Sequence, residues 1–237
     1  MRVVAVQFKA RKGDFDRSLA ELCASADAHA AGADLVVLPE MGATGYVFAD
    51  RDAVWQAAEE ADGPTLAAVA AVARRHHCWL VAGFPERAGD LIFNSALVVN
   101  PAGERVFTYR KTLLYSEDLP WAEPGDSGYR RFDTDAGTFG VGICMDINDD
   151  GFVDWLAAEQ PDAIAFPTNW VKEGAPVWPY WAWRLQGIRG ALVAANTWGD
   201  EGPITFSGKS AILSGFRLHA WAEETGDAVI SATLPSA

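Results

Sequence analysis

The first forty residues alternate strand, helix and strand patterns, and this constrains the fold more than anything else in the chain. Val3 to Phe8 reads as a strand. Phe15 to Ala31 carries apolar residues at helical spacing behind Asp14, a residue type that caps helices, and Leu35 to Leu38 is apolar throughout, as a fully buried strand must be. This is a βαβ opening. A helix from Thr65 to about His76 follows Gly63-Pro64, and Leu80 to Gly83, Ile92 to Asn100 and Arg105 to Tyr109 read as strands, the last two joined by Pro101-Ala102-Gly103. The second half repeats the style. Phe139 to Ile143, Ala163 to Phe166 and Leu192 to Ala195 are strands, separated by helices at Phe152 to Glu159 and Trp178 to Arg189, and short strands near Ala211 to Leu213, Ala220 to Glu223 and Val229 to Thr233 close the chain. Helices alternating with strands predict an α/β protein, and the hairpin-like pairs predict mixed sheets. The expected arrangement is two sheets with helices outside.

No linker, repeat or low-complexity tract divides the 237 residues, so one domain, 1–237, is expected. With 19 Lys plus Arg against 32 Asp plus Glu, the net charge of −13 argues against nucleic acid as a partner. The longest uncharged stretches, such as Leu91 to Gly103, are too short to span a bilayer, and Arg2 leads into a strand without a signal-peptide core. A soluble, cytoplasmic protein is the expectation. Cys23, Cys78 and Cys144 are odd in number and form no C-x-x-C pair, which points to free thiols rather than disulfides or a zinc site.

In α/β sheets, ligands gather at the carboxyl ends of strands, and four apolar runs end there in chemically capable residues. Leu35 to Pro39 leads to Glu40, Arg105 to Tyr109 runs out to Lys111, Gly140 to Ile143 ends in Cys144, and Ala163 to Pro167 reaches Asn169-Trp170. Each has an ordinary reading when taken singly: a loop carboxylate, a solvated lysine, a small buried hydrophobe. Their joint placement favours chemistry. A free thiol with a pKa of about 8.5 needs a base or a cation nearby, and Glu40 and Lys111 would supply both. The histidines offer no convincing dyad, because His76 and His77 sit at a helix end and His29 and His219 fall in helix and strand patterns. Gly208-Lys209-Ser210 is not a phosphate loop, since Pro203 occupies the place of its first glycine, and dinucleotide, zinc-peptidase and serine-hydrolase motifs are missing.

Taken together, Glu40 in Leu-Pro-Glu, Lys111 in Tyr-Arg-Lys-Thr-Leu-Leu-Tyr and Cys144 in Gly-Ile-Cys-Met-Asp resemble the nitrilase (carbon–nitrogen hydrolase) superfamily. The resemblance continues through Pro124-Gly125-Asp126, Pro167 to Trp170, Arg184 to Asn196 and Phe206 to Ser210, nearly the whole chain. It implies a four-layer α-β-β-α sandwich, commonly dimerised, working with no metal and no organic cofactor. It also implies roles. Cys144 would be the nucleophile, Glu40 the base and then acid, Lys111 the cation steadying the tetrahedral intermediate, and the N–H of Met145 a second oxyanion donor. A further acidic residue is expected between the lysine and the Pro-Gly, where Glu117, Asp118 and Glu123 compete and Glu117 is the choice. Asn169 and Trp170 are the expected substrate contacts.

The resemblance implies an amidase releasing ammonia from a carboxamide, with nitrile or N-carbamoyl hydrolysis, or a non-catalytic member of the fold, as alternatives. The motifs around Lys111 and Cys144 are similar to those of amidases acting on N-terminal Asn and Gln. Asp149-Asp150-Gly151 stands where that branch continues with proline and an aromatic, and the arginine usual after the cysteine is missing, so the acyl group stays open. Trp121, Trp170, Trp178, Trp181, Trp183 and Trp198 fall in the segments around the site and could give it aromatic walls, although such spacings also suit core or dimer interface. A small amide, or an N-terminal amide, is the expected substrate partner.

Overall fold

In the computed structural model, which describes residues 1–235, two six-stranded sheets face each other and helices cover their outer sides. The first sheet holds β1 (Arg2–Gln7), β2 (Leu35–Val37), β3 (Trp79–Ala88), β4 (Leu91–Val99) and β5 (Arg105–Arg110), with the last strand β14 (Ala228–Thr233) outside β1. The second is ordered β13 (Arg217–Trp221), β12 (Ala211–Ser214), β9 (Ala191–Asn196), β8 (Ala163–Thr168), β7 (Gly137–Val141), β6 (Arg130–Thr134). The central strands β1–β2–β3 and β7–β8–β9 run parallel and the flanking ones antiparallel, so both sheets are mixed.

Alternation along each strand divides the apolar residues between two packing layers. Val3, Ala5, Leu35, Val37 and Val81 turn inward to meet Phe139, Val141, Ala163, Ala165 and Val193 of the opposite sheet. Their neighbours Val4, Val6, Val36 and Leu80 turn outward against α1 (Phe15–Asp27) and α3 (Pro64–His76). On the far side, Ile164, Phe166 and Leu192 pack under α4 (Asp150–Glu159) and α5 (Val177–Arg184) through Phe152, Leu156 and Trp181. The four-layer α-β-β-α sandwich follows from this two-way split. No helix among the described residues is long and apolar enough to cross a membrane.

Several element boundaries differ from the sequence reading. The α1 helix stops at Asp27 instead of Ala31, its alanine run continuing as turns up to Gly32, whose φ is 69°. The α5 helix ends at Arg184 instead of Arg189, just ahead of Gly187 at φ 87°. The strand expected at Ala220 to Glu223 starts earlier, because Gly215-Phe216 make a tight hairpin that pairs Ser214 with Arg217. Unforeseen elements are the short α2 (Arg51–Ala57) behind the cap Asp50, the polar β6, and the hairpin of β10 (Trp198–Glu201) with β11 (Ile204–Ser207).

Candidate active site

The strand ends of both sheets deliver their polar residues to one place. Glu40 follows β2 and is 1% exposed. Its approach to β3 is close: a Cβ on Gly83 would lie 2.5 Å from the Cα of Glu40, so glycine is needed there for steric reasons. Glu40 Oε1 accepts hydrogen bonds from Asn94 Nδ2 at 2.7 Å and Lys111 Nζ at 2.8 Å, and Oε2 accepts one from the backbone N–H of Asn169 at 2.7 Å.

Lys111 leaves β5 and is fully buried. The Pro124-Gly125-Asp126 motif braces this stretch: Gly125 N–H donates to the Lys111 carbonyl, a Cβ at 125 would strike the Arg110 carbonyl, and Asp126 pairs with Arg110. Lys111 Nζ also donates to Asp118 Oδ2 at 2.6 Å, and Asp118 Oδ1 accepts from Asn94 Nδ2 at 3.1 Å and from the Tyr46 hydroxyl at 2.9 Å. Glu40, Asn94, Asp118 and Lys111 thereby close a hydrogen-bonded ring. The acidic residue beside the lysine is Asp118, not the expected Glu117. A turn in which Asp118 N–H donates to the Tyr115 carbonyl directs Asp118 inward and leaves Glu117, like Glu123, exposed.

Cys144 begins a 3-10 helix, Cys144–Asn148, and has a φ of 44°, in the left-handed region that non-glycine residues avoid. Asp146, fully buried, holds this turn in place. Its Oδ2 accepts from Ile143 N–H at 2.8 Å and the Tyr109 hydroxyl at 2.8 Å, while Oδ1 accepts from the N–H groups of Thr112 and Leu113, both at 2.9 Å. One carboxylate thus ties the cysteine turn to the segment carrying Lys111. From α5, Arg184 Nε donates to the Ile147 carbonyl at 2.7 Å and secures the far end of the turn.

Charge and burial set the protonation states. Burial pushes the Glu40 carboxyl up, Lys111 pulls it back, and Asp118 raises it again. Burial also works against the Lys111 ammonium, but Asp118 and Glu40 outweigh it and hold its pKa well above the ordinary value, so it stays charged. The Cys144 thiol is pushed up by burial and by Glu40 against the pull of Lys111. Burial and Glu40 therefore favour the neutral thiol, which calls for a base at the moment of attack.

Cys144 opens onto a cavity of about 210 Å³. Met145, Trp170 and Tyr180 give it apolar and aromatic walls, and Asn148, Asn169, Tyr115 and Glu173 give it polar ones. Asn169 Oδ1 and Thr168 Oγ1 are buried with no hydrogen-bond partner among the described residues. Of the tryptophans in the surrounding segments, only Trp170 lines this cavity. Trp181 is core, Trp121 is buried near Tyr46, Trp178 packs on Trp221, and Trp183 is exposed. Sequence reasoning missed Asn94, Tyr46, Asp146 and Glu173 as parts of the site. Asn94 did carry a signal, since it is a carboxamide in the apolar run of β4.

A model of the carbon-nitrogen hydrolase family matches residues 2–236 of the chain. The chain is 39% identical over 189 residues to a nitrilase of Pyrococcus abyssi, covering 77% of this chain and 69% of that one. It is 28% identical over 173 residues to the protein N-terminal amidase of Saccharomyces cerevisiae, covering 62% of this chain and 38% of that protein. Among solved structures, an amidase from Nesterenkonia sp. has the same fold, with a TM-score of 0.85 at 22% identity over 100% of this chain and 90% of that one. In a mutant of the amidase from Nesterenkonia sp. AN1, whose structure has a TM-score of 0.82 to this chain at 21% identity over 100% of this chain and 91% of that one, the acetamide moiety of fluoroacetamide is attached covalently to the active-site cysteine.

Proposed function

Because the chain belongs to the carbon-nitrogen hydrolase family, we propose that it hydrolyses a carboxamide to a carboxylic acid and ammonia through a thioester on Cys144. One observation carries this reading: the sulfur opens a left-handed turn into a cavity whose wall includes Asn169, and the backbone N–H of Asn169 is held by the carboxylate of the buried Glu40–Lys111 pair, whose charges both act on the thiol.

The chemistry follows from what each group has left to give. A carboxylate accepts about four hydrogen bonds, and Glu40 uses three, which leaves capacity on Oε2 for the thiol proton. The sulfur attacks the amide carbon as that proton moves to Glu40, and the carbonyl oxygen becomes an oxyanion. An ammonium has three donors and Lys111 spends two on carboxylates, so one remains for the oxyanion. The first N–H groups of a helical turn have no partner inside it, and Met145 offers a second donor in this way. Glu40 then returns the proton to the departing nitrogen, the C–N bond breaks, and ammonia leaves. Water next attacks the thioester with Glu40 as base, and collapse releases the acid and restores the thiol. Asp118 and Asn94 hold Lys111 and Glu40 in register during these transfers.

The test is ammonia release from a panel of amides by the wild type and Cys144→Ala. Ammonia from the wild type alone is expected, and a silent wild type on every amide defeats the reading. Nitriles and N-carbamoyl compounds belong in the panel, because a nitrile consumes two waters and a carbamoyl compound also yields carbon dioxide.

A further inference from the structure

Among the described residues, the cavity in front of Cys144 has one charged side chain in its wall, and it is an acid. Glu173 lies on the loop between β8 and α5, and its Oε1 accepts a 2.7 Å hydrogen bond from the hydroxyl of Tyr115, which lines the same cavity. No basic side chain pairs with this carboxylate among the described residues. Lys172, next to it in the chain, turns instead to Glu224 and lines a different cavity. Lys111 is sealed behind the sulfur with two carboxylates against its single charge. A substrate carboxylate would therefore meet no free cation in this cavity. A substrate ammonium would meet Glu173 together with the aromatic side chains of Trp170, Tyr180 and Tyr115, residue types whose rings attract cations.

We propose that the substrate amide also carries a cationic amine, which Glu173 receives at the cavity mouth while Cys144 receives the amide carbon. This rests on the amidase reading and narrows it to a class of substrate. The cavity, at about 210 Å³, is smaller than the roughly 300–1,000 Å³ of drug-sized pockets, so amine and amide must lie on one short chain or at one end of a longer one. Two sources share that chemistry: a free amino-amide, and a peptide whose first residue bears both a free ammonium and a side-chain amide. Glu173 stands at the mouth, where water screens charge, so its effect is one of selectivity rather than of chemistry.

The experiment compares kcat/KM on three amides of similar length: 4-aminobutanamide, pentanamide and succinamate, which are cationic, neutral and anionic. The wild type is expected to prefer the cation over the neutral amide by about fivefold, with the anion last, and added salt is expected to shrink that preference. Glu173→Gln should lower kcat/KM on 4-aminobutanamide about three- to fivefold more than on pentanamide, through KM, and Glu173→Lys should invert the order. A peptide beginning with Gln, with and without N-acetylation, separates the two sources: hydrolysis of the free peptide but not the acetylated one, with 4-aminobutanamide inert, assigns the ammonium to a chain terminus. Equal rates on all three small amides, preference for succinamate, or a Glu173→Gln loss as large on pentanamide as on 4-aminobutanamide would overturn the inference and leave the amidase standing. Silence on every amide and peptide would overturn both.

Discussion

Behind the Cys144 sulfur, Glu40, Asn94, Lys111 and Asp118 are closed to solvent, and each hydrogen-bonds to two of the others. In front of it, Tyr115 and Glu173 meet through one hydrogen bond between loops, with Glu173 exposed. The rear is built on Glu40, Asn94 and Lys111, carried by strands of the first sheet, with Asp118 from a buried turn, and the front on side chains of exposed or half-exposed loops. Groups that stabilise developing charge act best when they need not reorganise, and groups that select a substrate act well on loops. The rear should therefore decide whether a reaction occurs, and the front which molecule undergoes it.

The largest expected effect comes from the rear. Cys144→Ala should lower kcat/KM by roughly 10⁴-fold or more with an unchanged circular dichroism spectrum, as expected when a covalent route is lost. Substantial remaining turnover would mean that the rear is scaffolding. Lys111→Met should cost activity and also about 3–5 kcal/mol of stability, because it leaves Glu40 and Asp118 buried without their cation. Denaturant melts would show it, and a variant as stable as the wild type would contradict the ring as drawn.

Asp146 gives a smaller effect with a definite sign in pH. Burial pushes its carboxyl up to about 6 against the pull of its hydrogen-bond donors. The folded chain then holds that proton more tightly than the unfolded chain, whose aspartates titrate near about 4. This contribution to stability is full below about pH 4 and is lost as pH rises through about 6. Asp146→Asn should flatten that part of the stability–pH curve and cost about 1–3 kcal/mol through mismatched donors. An unchanged slope between those pH values would refute the assignment. At the front, Tyr115→Phe frees Glu173 and should change KM for a cationic amide only about two- to threefold, leaving kcat as it was. An equal loss on a neutral amide would show that Tyr115 serves the rear instead.

The same division explains what could be read from the sequence. Glu40, Lys111 and Cys144 each follow a strand pattern, which places them at strand ends, and the alternation of strands with helices points to two sheets with helices outside, while the four-layer stacking is what the family resemblance implies. Asp118 could not be distinguished from Glu117, because the choice depends on which way a turn faces. Tyr46 and Glu173 lie on loops whose paths are set by distant partners, as when Glu201 on the β10–β11 hairpin accepts the N–H groups of Tyr46 and Val47. Asp146 was visible as part of a motif, but three of its four donors, on Tyr109, Thr112 and Leu113, lie 33 to 37 residues before it. Periodicity records burial, and it carries little about contacts of this kind.

The most direct test is the peptide-mapped mass of wild type and Glu40→Gln quenched in acid during turnover of a hydrolysed amide. A mass increase equal to the acyl group, confined to the peptide holding Cys144, is the result expected. Ammonia release with Cys144 unmodified throughout, or an adduct on Cys23 or Cys78 instead, would contradict it.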